Sequence, residues 1–184
     1  MTAAGTYDIG RVLRASTEGF TCGLRSQELQ YPAYGAFVQT MHLNGDGSLV
    51  VIGVITAIRI DDDPLVRQLI MANTMNEAAL RDQRENRLVP VEIDVLSIGY
   101  MHNGHSIYNL PPRPPMSLDP VGLCNADTIE YFTEGLDFIR LILKARNVST
   151  EDLLGAAIRG AAQSRATQHQ RAFLVAAGRR LAGC

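Results

Sequence analysis

Of the seventeen basic residues in the chain, Lys144 is the only lysine. That imbalance bounds the phosphate chemistry open to it. A nucleotide-binding P-loop needs a lysine on the β- and γ-phosphates, a glycine-rich turn before it and a Ser or Thr hydroxyl after it for Mg²⁺. Lys144 stands in Leu143-Lys144-Ala145 with neither, so the sequence holds no such loop. Schiff-base chemistry would rest on Lys144 alone. His102-Asn103-Gly104-His105 puts two histidines on either side of a two-residue turn. Zinc takes three or four ligands, and no Cys or carboxylate accompanies the pair locally, so a hairpin tip is expected. Asp61-Asp62-Asp63 lacks the alternating spacing of a calcium loop and reads as the start of a helix. Gly45-Asp46-Gly47 approaches a dinucleotide fingerprint but has no third glycine and no helix after it. No Gly-x-Ser-x-Gly elbow occurs, and no cysteine has a histidine near it in sequence. These residues assign no catalytic residue, no cofactor site and no metal site, and the expectation is a protein that is not an enzyme.

The charge asymmetry lies elsewhere. Residues 153–184 contain Arg159, Arg165, Arg171, Arg179 and Arg180 and no acidic residue. Five guanidinium groups on helices could meet phosphates or the acidic stretches at 61–63 and 127–137, and they are the candidate interaction residues. A formal net charge of −2 gives no global case for nucleic acid.

The elements that must position these groups change character along the chain. Residues 7–60 read as β: Tyr7 to Ala15, Phe20 to Arg25, and a strand starting at Gly35-Ala36-Phe37-Val38. Asn44-Gly45-Asp46-Gly47 is a hairpin signal. Leu49 to Ile60 is β-branched and nearly all apolar, as a strand in a barrel core would be, and Gly53 within it predicts a bulge. Asp63 as N-cap and Pro64 as first helical residue open a predicted inserted helix over 64–86. Val91 to Val95 alternates apolar and charged residues, the pattern of a half-buried strand. Pro111-Pro112-Arg113-Pro114-Pro115 holds Pro-x-x-Pro twice and reads as a rigid arm that leads the chain off the barrel. Beyond it Ile129, Phe132, Leu136, Ile139 and Leu143 form one apolar stripe on a predicted helix over 126–146. Ser149-Thr150-Glu151-Asp152 is a variant capping box for the next helix, and Phe173, Leu174, Ala177 and Leu181 form a further stripe.

Ile9-Gly10-Arg11-Val12, Gly35-Ala36-Phe37-Val38, Val51-Ile52-Gly53-Val54-Ile55, the Val91–Gly99 strand and the Pro-Pro exit together resemble the HAS barrel, the small β-barrel shared by HerA-type DNA translocases and rotary ATP synthases. The likeness covers about residues 7–121. It implies a barrel that contributes to ring assembly or ties subunits together, without catalysis of its own. The motor that follows the barrel in those proteins has no counterpart in residues 122–184, so ATP hydrolysis does not carry over.

The expected fold class is α+β: a small closed or nearly closed barrel of about six strands with one inserted helix, over residues 1–121, then an α-helical extension of two to three helices, over 122–184. The expected function is an assembly or interaction module that forms a homo-oligomer or docks on a protein partner. The alternative is a nucleic-acid-associated factor related to HerA-type DNA processing, binding through the C-terminal arginines. No run approaches the ~18 apolar residues of a membrane span. Met1 to Thr6 has no basic n-region and no apolar h-region. Three widely spaced cysteines, Cys22, Cys124 and Cys184, fit a reduced cytoplasmic protein.

Overall fold

The computed structural model describes residues 7–25, 32–44, 47–60 and 90–181. The predicted inserted helix over 64–86 and the acidic run at 61–63 lie outside the described residues. Among the described residues there are seven strands: β1 (Tyr7–Ala15), β2 (Gly19–Arg25), β3 (Phe37–Asn44), β4 (Gly47–Ile60), β5 (Pro90–His102), β6 (His105–Ile107) and β7 (Pro120–Leu123). Six of them close a barrel in the order β1-β7-β3-β4-β5-β2, every pairing antiparallel, and β6 extends β5 outside the ring. Four helices follow: α1 (Ala126–Phe132), α2 (Ile139–Leu143), α3 (Thr150–Gln163) and α4 (Gln168–Leu181). The fold is α+β.

The sequence of β4 explains the layering. Val51 and Ile55 point into the barrel, where they meet Val12, Phe20, Val38, Ile93 and Val121. Ile52 and Val54, on the opposite face, pack with Phe132, Phe138, Ile142, Leu154 and Ile158 from the helices. A strand buried on both faces must be apolar throughout, and this one is. Its register with β5 slips between Ile52 and Gly53. A Cβ on Gly53 would stand 2.3 Å from Val95 Cγ1, so the bulge that closes the barrel tightly needs a residue without one.

Two expectations about the second half are corrected. The Pro-rich arm does not lead the chain away from the barrel. It returns it to the sheet as β7, which pairs with β1 on one side and β3 on the other, so the barrel ends at Leu123, not at 121. The predicted helix over 126–146 is two helices. Thr133 caps the first, its hydroxyl donating to the Ile129 carbonyl at 2.6 Å, and the chain turns before Phe138 starts the second. The break lets Phe132 and Phe138 both reach the barrel's outer face. Phe138 lies edge-on to Phe37 of β3, with centroids 6.1 Å apart, and both helical phenylalanines are fully buried.

Candidate functional site

The five arginines divide. Arg165, in the turn between α3 and α4, is only 6% exposed. Its Nη2 donates to Thr133 Oγ1 at 2.8 Å, and its Nη1 lies 3.7 Å from Glu130 Oε1. Arg171 donates from Nε to the Arg165 carbonyl at 2.8 Å. Arg159, Arg179 and Arg180 are exposed. Of the two expectations for these arginines, Arg165 meets the second: it is turned inward toward Glu130, within the acidic stretch at 127–137, and joins the end of α1 to the α3–α4 turn, while Arg171, exposed like the other three, also braces that turn.

Lys144 is exposed at the C-terminal end of α2, where its backbone N–H donates to the Arg140 carbonyl. It borders a cleft of about 370 Å³ shared with Glu18, Ser97 and Arg146. His102 and His105 form a cross-strand pair around a turn in which Asn103 and Gly104 both have positive φ, 49° and 78°. Those are the angles of the tightest hairpin turns. No group of three or more His, Cys, Asp or Glu placed to hold a metal occurs among the described residues.

On the barrel's outer surface the charged residues of β5 interleave with those of its neighbours. Arg14 of β1 reaches past β2 to Glu92, with Nη2 2.8 Å from Oε2. Arg59 of β4 donates to Asp94 from the other side, and Thr21 of β2 donates to Asp94 Oδ1 at 2.8 Å. Burial by itself would push the Asp94 carboxyl up. The hydrogen bonds from Arg59 and Thr21, with the Arg59 and Arg14 charges, outweigh it and hold the carboxyl below its usual range. One residue across on β2, Cys22 lies inside the barrel, and burial pushes its thiol up to about 12. Cys124 is raised by burial as well. Neither thiol has the depressed pKa of a reactive cysteine.

The surface feature that sequence reasoning missed is apolar. After the proline run, Met116-Ser117-Leu118-Asp119 makes a turn in which Leu118 adopts φ 71°, a left-handed conformation costing a branched residue about 1 kcal/mol. The turn is held in place. Asp119 Oδ2 accepts from the Met116 N–H at 2.8 Å, the Leu118 N–H donates to the Val12 carbonyl at 2.8 Å, and the Val12 N–H donates to the Asp119 carbonyl at 3.0 Å. Ser117 Oγ reaches the Leu13 carbonyl at 3.5 Å. Leu118 is 73% exposed, Met116 58% and Leu13, beside the stitching, 46%. A signal for the turn was present in Asp119-Pro120, a pair that favours turns. Nothing in the sequence showed that two apolar side chains would stand outward from it.

Fold and surface together define a closed six-stranded barrel, filled by apolar side chains and capped on one face by helices, that presents a rigid apolar turn. No protein-family model matches the chain, and a comparison with curated proteins finds no match.

Proposed function

We propose that this chain is a non-enzymatic assembly module of the HAS-barrel kind, standing without a motor, and that it associates with a second copy of itself through the Met116–Leu118 turn. The observation that carries the reading is Leu118. A leucine held in a strained backbone conformation by the hydrogen bonds of its turn, with most of its side chain in water, contributes little to the fold it belongs to. Exposed apolar groups on a rigid frame are what an interface uses, because little conformational entropy is lost when they are covered. The barrel's resemblance to domains that contribute to ring assembly makes a second copy the fitting occupant. Of the described C-terminal arginines, Arg159, Arg179 and Arg180 are exposed, and Arg171 is exposed but tied through its Nε to the Arg165 carbonyl, so the nucleic-acid alternative is the weaker reading.

Leu118→Gly tests it cleanly. Glycine accepts the positive φ, so the fold keeps its turn and loses only the apolar group. Multi-angle light scattering is expected to show an oligomer for the natural chain and a shift to monomer for Leu118→Gly, more completely with Met116→Ser added. Unchanged mass in the folded double variant would remove the turn from the interface.

A further inference from the structure

A turn that holds apolar side chains in water needs a surface that covers them. Two such turns set tip to tip, as a two-fold contact through this turn alone would set them, are both convex and cover little of each other. A projecting side chain is covered best by a concave apolar seat. The chain carries such a seat. Between the end of α1 and the first turns of α4 lies a cleft of about 270 Å³ lined by Leu136, Phe173 and Leu174, with Glu130 and Glu134 beside them. An apolar cavity of about 150 Å³ takes a benzene molecule, so the cleft has room for a leucine side chain. Phe173 is 63% exposed, a large ring left in water next to the buried Leu174. The residues of the cleft and those of the Met116–Leu118 turn are different, and Leu118 stands exposed, so the turn of one copy does not fill that copy's own cleft.

The charges beside the two surfaces are complementary. Arg113, three residues before Met116, is exposed and has no ion pair among the described residues. Three residues of extended chain span at most about 10 Å, so its guanidinium travels with the turn. At the cleft Glu130 is shared with Arg165, but Glu134 is exposed and without an ion pair among the described residues. Opposite charges beside an apolar contact select the partner and fix its orientation. We infer that the copies join head to tail: Met116 and Leu118 of one copy seat in the α1–α4 cleft of the next, against Leu136, Phe173 and Leu174, with Arg113 of the first facing Glu134 of the second. The inference rests on the assembly reading and adds to it the surface that receives the turn. Each copy then keeps one turn or one cleft open after a single contact, so copies add until a ring closes or a filament grows.

Mixing two variants of the full chain tests it, with mass read by sedimentation at a concentration where the natural chain is assembled. Leu118→Gly keeps the cleft and loses the apolar tip of the turn. Phe173→Arg keeps the turn and sets a cation in the seat, facing Arg113 of the incoming copy. Both positions are exposed, and circular dichroism checks that both variants are folded. Each variant alone is expected to shift to a monomer near 20.1 kDa, its self-association weakened about thirtyfold or more. An equimolar mixture is expected to recover a species of twice that mass and none larger, because one intact turn meets one intact cleft and both free ends are blocked. A Phe173→Arg chain that assembles like the natural one would overturn the head-to-tail contact and leave the turn as a two-fold interface. A mixture that stays monomeric would overturn it as well. A natural chain that is itself monomeric, or a Leu118→Gly chain that keeps the natural mass, would instead remove the assembly reading, and this inference with it.

Discussion

Asp94 ties β5 to both of its neighbours in the barrel wall, to β2 through Thr21 and to β4 through Arg59. Its carboxyl accepts from Thr21 and Arg59 and is held below its usual range against the opposing effect of burial. A carboxyl with a lower pKa folded than unfolded adds stability that is fully present above the unfolded value and is lost as pH falls through the folded one. Unfolding by urea between about pH 7 and pH 3 should therefore show stability falling on the acid side, with the loss beginning near the ordinary aspartate range. Asp94→Asn is expected to lower stability at neutral pH by less than about 1 kcal/mol, because the pair is partly solvated, and to make the acid limb shallower. An acid limb as steep in the variant as in the natural chain would mean that other carboxyls set it. The same scale shows why residue chemistry was only partly legible. The absence of a P-loop around Lys144 followed from neighbours in sequence. The fate of Arg165 did not, because it depends on Thr133 and Glu130, more than thirty residues away.

At the scale of elements, the barrel and its helical cap share a single apolar layer. Phe37, Ile52, Val54 and Ile98 of the strands are buried with Phe132, Phe138, Ile142 and Leu154 of the helices. Phe138→Ala should cost about 3–5 kcal/mol, read as a shift of one cooperative transition followed by both far-ultraviolet circular dichroism and tyrosine fluorescence. Separate transitions for helix and strand signals would show the cap to be an independent unit. β1, β2, β4 and the Asn103-Gly104 hairpin were legible because alternation, β-branching and turn chemistry are local signals. β7 was not. It is a four-residue strand, Pro-Val-Gly-Leu, too short to show a period, and its place between β1 and β3 is set by partners distant in sequence. The helix break at Thr133–Phe138 was hidden for the opposite reason. The apolar spacing runs straight across it, and only the need to seat Phe132 and Phe138 on one curved barrel face divides the stripe.

At the scale of the whole molecule, a filled barrel with a helical cap leaves its outward surface to act. No helix among the described residues is long and apolar enough to cross a membrane. Among the described residues, the Met116–Leu118 turn combines apolar exposure with backbone strain. Sedimentation equilibrium on the full chain measures self-association through this turn. Across a dilution series from high to low micromolar concentration, the natural chain should give a weight-average mass at a multiple of 20.1 kDa that falls toward the monomer on dilution. A mass of 20.1 kDa at every concentration, for a chain shown to be folded, would contradict it.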